Sequence, residues 1–162
     1  MRNTAVLLVV FTAAWGISCG RPADDFSPEQ IIALERGALD RWGHGDPSGF
    51  LELDADEVTY FDPTTEKRTD GLPAMRASLA PLADKIDVDH YEMIGPKVQH
   101  HGDVAVLSYN LISYVRPPEG DALRAVRWNC TEVYAWIGGQ WRVVHNHWSY
   151  TQPQLAAPAG PA

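Results

Sequence analysis

The sequence is short of cysteine and of basic residues, and it has no hydrophobic run long enough to cross a bilayer. Its 162 residues include two cysteines, Cys19 and Cys130. If Cys19 is taken up by an N-terminal anchor, as argued below, Cys130 stands alone, which excludes an intramolecular disulfide framework. A single cysteine on a strand is more often a small buried apolar group than a nucleophile, and Cys130 is assigned no chemistry. Thirteen Lys and Arg stand against 21 Asp and Glu. That imbalance, with no basic stripe interleaved with aromatics, argues against a nucleic-acid partner. Glycine-rich phosphate loops, nucleophile motifs and cysteine-rich metal patterns are also missing, and no internal repeat is visible.

What is there begins with the longest apolar run, Thr4 to Ile17, of 14 residues, against about 20 for a transmembrane helix. It follows Arg2 and ends in Gly16-Ile17-Ser18-Cys19, small residues leading to a cysteine. This reads as a signal peptide (residues 1–18) before a bacterial lipoprotein box, with Cys19 the lipidation site and 19–26 a tether. An ordinary secretory signal is the alternative. The expectation is an exported protein held to the membrane only through a lipid anchor, on the periplasmic side or the cell surface. Residues 27–150 then make one domain large enough to bury a core, and 151–162 a low-complexity, disordered tail.

Within the domain, helices come first. Ser27-Pro28-Glu29-Gln30 offers a cap, a proline at the first helical position and a capping-box glutamine. Ile31, Leu34, Ala38 and Trp42 follow on one face at helical spacing, and Gly43 to Gly45 ends the helix. Asp46-Pro47 restarts a short one carrying Phe50, Leu51 and Leu53. Val58 to Asp62 reads as a strand stopped by Pro63, and Lys67 to Thr69 as a short strand pairing back onto it. Asp70 reads as the cap of a third helix, with Leu72, Met75, Leu79 and Leu82 on one face and Pro81 kinking or ending it. Strands follow over Tyr91–Gln99 and Val104–Val115, then a hairpin, Ala125–Trp136 and Trp141–Tyr150, around Gly138-Gly139. Helices first and a long meander after predict an α+β fold, with the helices on one face of a curved antiparallel sheet.

The hairpin also predicts faces. With Gly138 and Gly139 as the turn, Trp136 pairs with Trp141, Tyr134 with Val143, Glu132 with His145 and Cys130 with His147. One face then carries Trp128, Cys130, Glu132, Tyr134, Trp136, Val143, His145 and His147. It is apolar but for Glu132 and the two histidines. A carboxylate opposite an imidazole inside an aromatic frame suits acid–base work or ligand binding. The plainer alternative is that the two satisfy each other beneath the helices. His145-x-His147 points two imidazoles the same way, but no third ligand at family spacing completes a metal site, so no metal and no cofactor are expected.

Trp42-Gly-His-Gly-Asp46, Val58-Thr-Tyr-Phe-Asp-Pro63, Asp70-Gly71 and Trp141-Arg-Val-Val-His-Asn-His147 together resemble the SnoaL-like proteins of the nuclear-transport-factor-like superfamily. Among these the chain is most similar to the association domain of calcium/calmodulin-dependent kinases. The resemblance runs over about residues 27–149. It implies a cone-shaped α+β fold, N-terminal helices packed on a strongly curved sheet with a pocket at the wide end, and a homodimer or larger homo-oligomer. By the same resemblance, inward-pointing arginines of the association domain fall near Asn110 and Glu132, neither of them basic, which points to a neutral or cationic ligand. Kinase activity does not follow, because the kinase domain is absent. Candidate pocket residues are Tyr60, Asp62, Asn110, Trp128, Glu132, His145 and His147. The preferred function is a module that binds a small molecule or partner. A second reading is a small enzyme of isomerase, dehydratase or hydrolase type. In it Asp62 or the Glu132–His145 pair is the base, and Tyr60 or Asn110 polarises an oxygen. A third is oligomerisation alone.

Overall fold

The computed structural model describes residues 26–117 and 122–151; the leader, Cys19 and the tail beyond Thr151 lie outside the described residues. Helix α1 spans Pro28–Gly43. Ser27 caps it from extended backbone, its hydroxyl accepting the Glu29 N–H, and Pro28 occupies the first turn, where a missing N–H costs nothing. Its buried residues are Ile31, Glu35, Ala38 and Leu39. Leu34 and Trp42, expected at the centre of that face, flank it half-buried. Past the helix end the chain turns at Gly45, whose φ of +77° and close approach to the Asp84 backbone leave no room for a side chain. Helix α2 (Ser48–Leu53) starts where the Asp46 carboxylate accepts the Ser48 N–H at 2.9 Å. Arg41 ties the two helices by bonding Asp46 and Glu52, each at 2.7 Å.

Strand β1 (Asp54–Phe61) follows directly, then β2 (Thr69–Asp70) and helix α3 (Leu72–Leu79), closed by a 3-10 turn at Ala80–Leu82 that contains Pro81. Two expectations shift here. The strand pairing back onto β1 is Thr69–Asp70 rather than Lys67–Thr69. Asp70 does not cap α3: Gly71 holds the cap position without a side-chain bond, and Asp70 pairs with Arg68. The remaining strands are β3 (Val88–His101), β4 (Val104–Val115), β5 (Arg124–Ile137) and β6 (Gln140–Tyr150).

They form one open six-stranded sheet in the order β2-β1-β6-β5-β4-β3. All neighbours are antiparallel except β1 and β6, which run parallel, so the sheet is mostly antiparallel. Gly138 and Gly139 make the β5–β6 turn with φ of +60° and +85°, which a two-residue primed turn requires at both positions. The core lies between the helices and the inner sheet face, where Ile31, Leu39, Val58 and Met75 meet Leu107, Leu111, Tyr134 and Val143. No helix among the described residues is long and apolar enough to cross a membrane.

One irregularity decides where the site's side chains go. From the turn, Trp136 pairs with Trp141 and Tyr134 with Val143, but Val133 then pairs with His145. Val144 is an extra residue, a β-bulge, and everything after it changes face. Glu132 therefore lies opposite Asn146 and Cys130 opposite Trp148. The expected pairs Glu132–His145 and Cys130–His147 do not form.

Candidate functional site

The inner face brings together acids that the helices bury. Glu35 reaches it from α1, Asp54 from the start of β1 and Glu132 from the middle of β5; their exposures are 1%, 5% and 1%. Glu35 is fully partnered, since Tyr109 donates to one of its oxygens and Tyr134 to the other, both at 2.7 Å. Burial raises its pKa, and the two hydroxyls pull it back. Burial pushes Asp54 up to about 7; a bond to the Asn146 side chain opposes this and the Glu35 charge adds to it. Burial likewise drives Glu132 well above its ordinary value, with Glu35 reinforcing the shift and the Trp148 bond opposing it.

Glu132 and Asp54 are incompletely satisfied. The Trp148 indole N–H donates to Glu132 Oε1, while Glu132 Oε2, Asp54 Oδ2 and the Trp128 Nε1–H are buried without a partner. Such orphans are uncommon, because desolvating a polar group with no replacement bond costs about 1–3 kcal/mol.

Beside Glu132 stands Tyr60, half-buried. Its hydroxyl is held protonated by burial first, then by the Asp62 carboxylate against it, with the Glu132 charge adding further. Asp62 is half-buried and anchored by the Thr64 N–H at 2.6 Å. A wall of rings completes the surroundings. Trp42 meets Phe50 at 5.8 Å, Phe50 meets Trp148 at 6.0 Å, and Trp148 meets Trp128 at 5.7 Å, all edge to face. Neighbouring Cys130 is buried with its thiol pushed up by burial, an inert setting.

Of the seven residues expected from the sequence, Tyr60, Asp62, Trp128 and Glu132 come together on this inner side. His145, His147 and Asn110 do not. The bulge turns His145 and His147 to the outer face, where His145 Nδ1 lies 2.8 Å from the Thr59 hydroxyl and both imidazoles flank Phe61. His145 has a lowered pKa, from desolvation first and then from His147 and Arg68. Asn110 donates to Asn129 Oδ1 at 2.8 Å. It borders a shallow recess with Ile94, Leu111, Ile112, Arg127, Trp128 and Thr151, which holds none of the buried carboxyls. Sequence reasoning missed Glu35, Asp54, Asn146 and Trp148. Glu35 carried a usable signal, since it lies four residues from both Ile31 and Leu39 on the buried stripe. Among the described residues no three His, Cys, Asp or Glu side chains gather as metal ligands.

Comparison with known proteins agrees with this architecture. Residues 38–153 match the model of a SnoaL-like domain. A protein from Parabacteroides distasonis, described as a candidate ketosteroid isomerase, is 37% identical over 82% of this chain and 94% of its own, with a TM-score of 0.69. A Pseudomonas putida protein of the NTF2-like type, of unknown function, is 22% identical over 78% and 88% of the two chains (TM-score 0.65). The S. rosetta CaMKII hub is 21% identical over 76% and 95% (TM-score 0.62). The search of curated proteins finds no match.

Proposed function

This chain belongs to the SnoaL-like family, and on that premise we propose that it is a small-molecule-binding member whose ligand sits on the inner face against Glu132. One observation carries the reading: a carboxyl oxygen on a side chain 1% exposed has no partner, within a ring wall that is itself only half-buried. A polar anchor set in an apolar, aromatic surround is the usual make-up of a small-molecule site. The lone Trp128 N–H supplies a second polar contact for the same ligand. Native mass spectrometry of the full chain, purified without denaturation, tests this. The expected result is a mass above that of the protein which leaves on denaturation and is lost in Glu132→Ala. A clean apo mass, together with unchanged Trp emission against a metabolite panel, would overturn it.

A second reading has its own support. Asp62 lies against the Tyr60 hydroxyl, which also feels the Glu132 charge, and the P. distasonis relative is described as a candidate isomerase. In this reading Asp62 takes a proton from carbon and protonated Glu132 donates to the developing oxygen. Turnover of an enolisable ketone, abolished by Asp62→Asn and by Glu132→Gln, is the expected signature. Hub domains among the structural neighbours support a homo-oligomer, which sedimentation of the purified chain tests. Residues 16–19 support export with lipidation at Cys19, tested by metabolic palmitate labelling with Cys19→Ser as control.

A further inference from the structure

The interior charge is all of one sign. Among the described residues the buried charged side chains are Glu35, Asp54 and Glu132, three acids and no base. Glu35 is satisfied by its two tyrosines, but Glu132 and Asp54 each keep one oxygen with no partner. What would complete them depends on what stands around them. Beside Glu132 that is aromatic: Trp148, bonded to the carboxyl, continues into Phe50 and Trp42 on one side and Trp128 on the other. Each of these rings is half-buried, so the wall also meets solvent. An anion entering here would meet three acids without a counter-charge. An ammonium with an apolar body gains from both components, because ring faces attract cations and an unpaired carboxylate supplies the opposite charge.

Building on the binding reading above, we infer that the ligand is a small organic cation, an alkyl- or arylammonium. It lies against Trp42, Phe50, Trp128 and Trp148, with the free oxygen of Glu132 as its counter-ion. Charge balances by exchange. Without a cation, burial favours the protonated Glu132 carboxyl; as the ammonium arrives, that proton leaves to solvent, so a positive charge enters for each one lost. An uncharged ligand of the same shape drives no such exchange.

Choline and dimethylbutanol, its uncharged carbon isostere, make the test. Calorimetry near neutral pH, repeated in buffers of different ionisation enthalpy, reads affinity and proton release together. Choline is expected to bind at least about tenfold more tightly than the alcohol. It should release close to one proton, and Glu132→Gln should bring it down to the alcohol's level. Equal affinities would overturn the cation assignment and leave the binding reading standing. Choline binding without proton release would overturn the proton exchange at Glu132. No binding of either compound up to about 10 mM would overturn the cation assignment, and together with a clean apo mass in the native spectrum it would overturn the binding reading as well. If Glu132→Gln does not fold, proton release by the unaltered protein decides the question.

Discussion

The two faces of β5 and β6 carry similar chemistry under opposite conditions. Inside, Glu132 and Asp54 are buried, pushed toward the protonated form and short of partners. Outside, His145 meets Thr59, and Asn110, Asn129 and Ser149 bond in a row across three strands. Outer polar groups have water as a fallback, so their pairings contribute little and their loss is tolerated. Inner groups have none, so an unmade bond there is a standing cost that a ligand can relieve. Polarity alone therefore does not locate the site. Polarity with an unmet bond does, and one extra residue, Val144, decides which side chains of β6 are exposed to that condition.

Inserting one residue after Val144 breaks the comparison outright and should have the largest effect. Deleting Val144 would keep His145 opposite Val133 and Asn146 opposite Glu132. With the bulge at Val144 kept, the one-residue shift of the insertion would instead turn Asn146 and Trp148 outward and drive His145 and His147 into the core. Loss of the Asn146 and Trp148 bonds, with two imidazoles buried, should cost about 5 kcal/mol or more, read as loss of the cooperative thermal transition in circular dichroism. A stable, folded insertion variant would mean that the bulge does not set the faces. Next in size is Glu35→Ala. It opens a cavity and strands the Tyr109 and Tyr134 hydroxyls, for about 3–5 kcal/mol in denaturant unfolding. Glu35→Gln, which still accepts one hydroxyl, should lose less than half of that.

The reason these two positions escaped the sequence is physical. Turn glycines, the Ser27 cap and the first-helix stripe are local signals, and each falls where its spacing places it. In Arg142-Val143-Val144-His145 the bulged residue is β-branched like its neighbour, so nothing marks it. It is visible only in long-range pairing, as is the parallel contact of β1 with β6. Tyr60, Trp128 and Glu132 were legible because regular alternation reaches them without crossing the bulge. The outward turn of Asn110 was legible too, from buried Leu107, Tyr109 and Leu111 on either side of it. Glu35 lies at the spacing of a core residue but reads as a surface one by its charge. Recognising it requires Tyr109 and Tyr134, 74 and 99 residues away.

Inner carboxyls should also show in the pH dependence of folding. The Asp54 pKa is raised from 3.8 to about 7, so the unfolded chain ionises first. The stability tied to this group is complete below pH 3.8 and falls as pH rises to about 7, then stays level. About three units correspond to about 4 kcal/mol. Asp54→Asn, which cannot ionise, should make the urea midpoint less steep across that window, leaving the slope that Glu35 and Glu132 contribute in the same sense. Asp46, held down to about 2 by Ser48 and Arg41, acts in the opposite sense and only as pH drops below 3.8, so the two windows do not overlap. A profile that stays equally steep in Asp54→Asn would place the titrating group elsewhere.

The smallest effect is expected on the outer face, and its smallness is what it tests. His145 is half-buried and His147 exposed, and neither bonds to the inner acids. His145→Ala and His147→Ala should each change stability by no more than about 0.5 kcal/mol and leave choline affinity unchanged. His145, with its lowered pKa, adds stability above its ordinary titration range and loses it as pH falls through that range. This slope opposes that of Asp54 and should vanish in His145→Ala. If either alanine variant instead weakens ligand binding by the tenfold assigned to Glu132, the two faces are not chemically separate. The site would then extend through the sheet at Phe61 and Thr59.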